Sequence, residues 1–283
     1  MKRALLLSGG AALGAVDQII LENLVSLHGY ESYKAVNGVS VGALNGILFA
    51  QRRLERLREL YSQIESISYF MKPNWFAFNK GIYSLNPLKE RLIKEFRQSR
   101  ISPETIYSCG VFDLQAERYW SVPHTVHEST ESLIETIIAS CAQPVIMAGN
   151  VCHVNKYLKR YCVDGGVRHI IPTLSDWETY DAIDVILTSP INRRNMKLQT
   201  NLNSLIQIIG RIVESQIDNV VLSDLHRLEL YSYKVPVTLY APKESGNQFD
   251  ASHKTMMWRL NKVGMEMWKN PIKLYKTGTL VQR

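Results

Sequence analysis

The chain has 283 residues, 46% of them hydrophobic and 21% charged, with a formal net charge of +7. This composition suits a globular domain with a large core and excludes a disordered or fibrous chain. No run approaches the roughly 18–20 apolar residues of a membrane span, and the excess of Lys and Arg favours an anionic partner such as a lipid surface or an acidic substrate.

In chain order, residues 3–7 (RALLL) are a short apolar run stopped by two glycines, the pattern of a buried strand. Basic residues before it and small residues after it imitate a secretory leader. The apolar core is too short for one, so the segment reads as a mature, soluble start. Leu13, Val16, Ile20, Leu24 and Leu27 fall at helical spacing over 11–27. A second strand is predicted at 33–39 (YKAVNGV) and a second helix from Val41 to Arg52. Strand–helix–strand–helix is the order of a parallel sheet covered by helices. Residues 53–67 read as a charged helix. Over 68–85 the periodicity is lost and aromatics gather between lysines, and helix resumes at 86–97. Two strands are predicted within 107–122 (YSCGVFD, then ERYWSV). A helix follows at 130–142, then a loop to about 160 and a strand ending in YCVDGG (161–166). DAIDVILTSP (181–190) is the clearest buried strand. A long amphipathic helix at 202–230, a strand at 235–242 and a helix at 251–268 complete the chain. Without repeats or linkers, the expectation is one domain over 1–283, with 53–100 a helical and aromatic lid insertion. The cysteines, Cys109, Cys141, Cys152 and Cys162, lack metal-knuckle spacing and read as reduced thiols of a cytoplasmic protein, Cys109 and Cys141 in the core.

Three segments carry chemistry. Gly38-Val39-Ser40-Val41-Gly42 fits G-x-S-x-G, a serine pushed out of a sharp strand-to-helix turn crowded enough to need flanking glycines. Alone the motif is weak, because an ordinary glycine turn gives the same string. Ser8-Gly9-Gly10-Ala11-Ala12-Leu13-Gly14 joins a strand to a helix, where backbone N–H groups can approach a ligand oxygen. A dinucleotide loop is the rival, but Ala11 takes the third-glycine place of G-x-G-x-x-G and no Gly-Lys-Ser/Thr follows. Asp164-Gly165-Gly166 ends a strand, where a carboxylate can reach a site at the sheet's edge; a plain Asp-Gly turn is the alternative.

Taken in that order, the glycine loop, the serine turn and Asp-Gly-Gly resemble the patatin-like phospholipase family. So do ASCAQPVIM (139–147), YCVDGGVRHIIP (161–172) and FDASHKTMMWRLNKVG (249–264), and the resemblance covers nearly the whole chain. It implies an α/β fold, a three-layer α/β/α sandwich with a mainly parallel central sheet. It implies Ser40 as nucleophile and Asp164 as its partner in a Ser–Asp dyad without histidine. Gly38 and Gly42 flank the nucleophile, and Gly165 and Gly166 follow the acid. The oxyanion hole would draw on Gly9, Gly10, Ala11, Gly14 and Val41. The substrate would be a lipid carboxylic ester, with no metal or cofactor. One departure stands out. The family's loop usually reads Gly-Gly-Gly-x-Arg/Lys-Gly, and here Ala11 and Leu13 replace the third glycine and the basic residue.

A Ser–Asp–His triad would need His169, His226 or His253, of which His169 lies only five residues past Asp164. The aromatics Tyr69, Phe70, Trp75, Phe76, Phe78 and Tyr83, set among Lys72 and Lys80, suit a lipid–water interface, so peripheral membrane contact through 69–83 is expected. Packing over the core as a lid is the alternative. The rival functions are a soluble esterase or thioesterase, a lipid-binding relative without turnover, and a nucleic-acid binder. The last is not expected, because Lys and Arg are scattered and no recognition motif occurs.

Overall fold

The computed structural model describes residues 1–74, 81–96, 100–144, 146–191, 205–244 and 246–275, with side chains described for all of these except 205–218. The elements run β1 (Arg3–Leu7), α1 (Asp17–His28), β2 (Tyr33–Val39), α2 (Val41–Ala50), α3 (Leu54–Ser62), β3 (Lys72–Pro73), β4 (Tyr83–Ser84), α4 (Asn86–Phe96), β5 (Ile106–Asp113), β6 (Arg118–Pro123) and α5 (Thr130–Ser140). They continue β7 (Asn150–Asn155), β8 (Leu158–Asp164), β9 (Ala182–Ile186), α6 (Leu205–Ser232), β10 (Val237–Tyr240), α7 (His253–Trp258), α8 (Gly264–Lys269) and β11 (Ile272–Leu274). One large sheet has the order β11-β10-β9-β1-β2-β5-β8-β7, with β6 on β5. Its middle strands β10, β9, β1, β2 and β5 are parallel, while β11, β6 and β8 run against their neighbours.

The three layers follow from strand alternation. Leu5 and Leu7 of β1 face a core shared with α1, α2, α3 and α5, while Ala4 and Leu6 face a second core closed by Val221, Leu225 and Leu228 of α6. Burial on both faces is why β1, β2 and β9 read as near-continuous apolar runs.

Several predicted elements differ from the structure. The loop placed before residue 160 contains β7 and the start of β8, a hairpin turning at Lys156–Tyr157. The 11–27 helix opens as a 3-10 turn over Ala11–Val16, and the 251–268 helix is broken by a π turn at Arg259–Val263. Within 53–100, α3 and α4 bury Leu54, Leu57, Tyr61, Leu88, Leu92 and Phe96 in the main core. The aromatics Trp75, Phe76 and Phe78, with Lys80, lie outside the described residues.

Candidate active site

β2 ends at Val39 and the chain turns abruptly. Ser40 has φ 56 and ψ −126, a left-handed conformation that L residues rarely adopt, and α2 begins at the next residue. The flanking glycines are needed for close approach. A Cβ on Gly38 would stand 2.2 Å from the Gly42 carbonyl oxygen, and one on Gly42 2.2 Å from the Leu7 carbonyl oxygen. Strand register brings the aspartate to the same point. β6 occupies one edge of β5 from Ser108 to Asp113. The other edge takes β2 as far as the Val39–Gly110 pair, then β8 from the Asp164–Val111 pair. β2 and β8 therefore meet end to end, with Ser40 and Asp164 at the junction.

Both residues line a cavity of about 300 Å³. Asp164 Oδ1 accepts the Gly166 N–H at 2.7 Å, and the Ser40 side chain stands near enough to the same carboxyl group to favour its charged form. Burial pushes the Asp164 pKa up to about 6, against the opposing pull of the Gly166 N–H and the Ser40 side chain. A carboxyl in that range is a far better proton acceptor near neutrality than a free aspartate. Elsewhere the walls are mostly apolar, with Leu13, Leu44, Phe70, Met71, Leu85 and Leu88 along one side.

The glycine loop presents its amides selectively. The Gly9 N–H donates to the Ile170 carbonyl at 3.0 Å, and the Gly9 carbonyl accepts from the Thr188 hydroxyl. The Ala12 N–H goes to the Gln248 carbonyl and the Leu13 N–H to that of Gly10. Among the described residues, the N–H groups of Gly10, Ala11 and Val41 have no protein acceptor, and all three residues line the cavity. The expected donor set is thereby narrowed. Gly9 lines the cavity but its N–H is engaged, and Gly14 lies behind the loop, where a Cβ would press on Val41 at 2.4 Å. Ala11 sits at φ 49, in the region where glycine is favoured. Gly165 packs on the Gly110 backbone, leaving no room for a Cβ.

The histidines stand apart from the cavity lining. His169 Nδ1 lies 2.7 Å from Asp224 Oδ1, and its ring meets Tyr119 edge-on at 4.9 Å. His226 and His253 are exposed. Among the described residues there is no cluster of His, Cys, Asp and Glu that could hold a metal ion.

The sequence model of the patatin-like phospholipase family matches residues 5–177, more than half of the chain. The chain belongs to the patatin-like phospholipase family. Membership makes it one of a group of hydrolases acting on lipid ester bonds. Among solved structures it is similar to the crystal structure of VipD from Legionella pneumophila, with a TM-score of 0.46 and 11% identity, covering 97% of this chain and 68% of that one. No curated protein matches the chain.

The patatin-like match contains the glycine loop, the Ser40 turn and Asp-Gly-Gly. β9, α6, β10 and the 249–264 helix lie beyond it. Residues on both sides of that limit brace the site, and most carry no sequence motif. Ser140, the last residue of α5, accepts the Ser40 N–H at 2.9 Å and donates to the Gly110 carbonyl at 2.6 Å. Two residues on, the Ala142 carbonyl accepts the Asp164 N–H. The end of α5 thus grips the backbone of both Ser40 and Asp164. Behind the loop, Asn45 of α2 donates to the Gly14 carbonyl and to Asp17, and accepts from the Tyr61 hydroxyl. Burial pushes the Asp17 carboxyl up to about 8. From beyond the matched segment, the fully buried Arg259 donates to the carbonyls of Ala12, Asn247 and Asp250. It ties the glycine loop to the 247–250 strap that also receives the Ala12 N–H. Cys109, Cys152 and Cys162 are buried, whereas Cys141 is only half-buried, on the cavity wall rather than in the core.

Proposed function

We propose that the protein is a serine lipid-acyl hydrolase working through a Ser40–Asp164 dyad, with Gly10, Ala11 and Val41 as oxyanion donors. The observation that carries the reading is the meeting of Ser40 and the buried Asp164 carboxyl, its pKa pushed up to about 6, at the junction of β2 and β8 in one cavity, beside three N–H groups without protein acceptors among the described residues.

The Ser40 Oγ attacks the ester carbonyl carbon as its proton passes to Asp164. Negative charge developing on the carbonyl oxygen is received by the Gly10, Ala11 and Val41 N–H groups, the last at the positive end of α2. Loss of one such donor typically costs about 2.7–4 kcal/mol of transition-state stabilisation. Collapse of the tetrahedral species breaks the carbon–oxygen bond, and Asp164 returns the proton to the departing alcohol. Water then gives a proton to Asp164 and attacks the acyl-serine; collapse frees the fatty acid and restores the Ser40 hydroxyl. The apolar wall favours an acyl chain over a compact polar group. Leu13, standing where the family's loop usually has a basic residue, adds to that wall instead of placing a cation there.

The test is hydrolysis of a phospholipid and monoacyl-ester panel by wild type, Ser40→Ala and Asp164→Asn. Free fatty acid is expected from wild type and a loss of at least about a thousandfold in either variant. Equal turnover by wild type and Ser40→Ala would remove the serine from the reaction.

A further inference from the structure

β8 runs inward to Asp164 from beyond the catalytic edge of the sheet, because it pairs antiparallel with the far half of β5. Its seven residues span about 20 Å, so the Lys156–Tyr157 turn stands that far out from the carboxylate. The other strand, β7, leaves from the segment holding Pro144 and Met147, both on the cavity wall. The hairpin therefore springs from the cavity rim and returns to its catalytic end.

Its outer surface is unusual for solvent. Tyr157 is 89% exposed, Val151 50% and Tyr161 40%. Val151 and Tyr161 are directly paired across the strands, and the Tyr161 carbonyl accepts the N–H of Leu114, itself 46% exposed. Val151 and Tyr161 thus form an exposed apolar and aromatic pair near the base of the hairpin, and Tyr157 stands exposed at its tip. Residues 150–161 contain no Asp or Glu. Arg160 turns to Asp113, but Lys156 and Lys159 have no acidic partner among the described residues. By contrast Phe70 lines the cavity, and Tyr69 and Tyr83 pack on the core.

We infer that the β7–β8 hairpin docks the protein on anionic phospholipid bilayers, laying Tyr157, Tyr161 and Val151 into the interface with Lys156 and Lys159 against the headgroups. Tyrosines with an apolar body and polar tip suit that boundary, and each lysine near such a surface is worth about fivefold in binding. The occupant is a lipid surface, which rests on the lipid-ester reading above.

The experiment is co-sedimentation with phosphatidylcholine vesicles, with and without phosphatidylglycerol, in a Ser40→Ala background so that lipid is not consumed. The parent is compared with the Lys156→Gln/Tyr157→Ala/Lys159→Gln variant, and the same triple change on native Ser40 is assayed on a dispersed short-chain ester. The parent is expected to bind anionic vesicles in a salt-sensitive way and the triple variant at least tenfold more weakly, with ester turnover unchanged. Equal vesicle binding by both would overturn the assignment. So would a parent dimer in sedimentation velocity that the triple change abolishes without altering vesicle binding. Ester turnover absent from every form would defeat the hydrolase reading, while the vesicle arm would still judge the hairpin.

Discussion

Ser40 is held at φ 56 by the close approach of Gly38, Gly42 and the end of β1. A strained non-glycine residue of this kind costs about 1–3 kcal/mol. Ser40→Gly relieves that strain, less the entropy a glycine loses on folding. It is expected to be about 1 kcal/mol more stable than Ser40→Ala in urea unfolding, with both inactive. Equal stabilities would mean the turn is not strained. Asp164 sets the pH dependence. Its folded pKa of about 6 lies above the ordinary 3.8, so the fold favours the protonated form. The resulting stabilisation is fully present below about pH 4 and is lost as pH rises through about 6. Activity has the opposite slope, because the acceptor must be ionised: kcat/KM is expected to rise through about pH 6 and then level off. Asp164→Asn removes the cost of burying the charge. It is expected to be more stable than wild type at pH 7.5 by about 1–3 kcal/mol and to lose that advantage at pH 4.5. An advantage independent of pH would contradict the burial argument.

At the scale of elements, α5 positions Ser40 and Asp164 without reaching substrate. Ser140→Ala leaves the Ser40 N–H and the Gly110 carbonyl without their hydrogen-bond partner, at a cost of about 1–3 kcal/mol in stability. The expected kinetic result is a fall in kcat with KM nearly unchanged, because the serine's orientation is disturbed but the apolar wall is intact. A rise in KM alone would argue against it. Nothing in ASCAQP announces this role, since Ser140 meets its partners across long separations along the chain and such pairings leave no local pattern. The same holds for Arg259, whose contact with Ala12 joins opposite ends of the chain. β1, β2 and β9 were legible because burial on both faces leaves short, mostly apolar runs. β7 was not. It alternates Val151 and His153 with Cys152 and Val154, and its turn at Lys156–Tyr157 carries no glycine to mark it. The glycine loop was legible as a turn from strand to helix. Which of its amides lack a protein acceptor was not, because Gly9 is engaged by Ile170 and Thr188, which come from distant parts of the chain.

At the scale of the molecule, the sheet's topology creates the site. Two strands of opposite direction share one edge of β5, and their ends bring a hydroxyl and a carboxyl together over Gly110 and Val111. The family match ends at residue 177, yet Thr188, Gln248 and Arg259 hold the glycine loop in place, so the later third of the chain is structurally part of the site. No helix among the described residues is long and apolar enough to cross a membrane. The most direct measurement is peptide mapping by mass spectrometry after reaction with a fluorophosphonate. A single adduct on Ser40 is expected, absent from Ser40→Ala and formed at least a hundredfold more slowly in Asp164→Asn. Labelling of a different serine, or wild-type labelling speed in Asp164→Asn, would contradict a Ser40–Asp164 dyad.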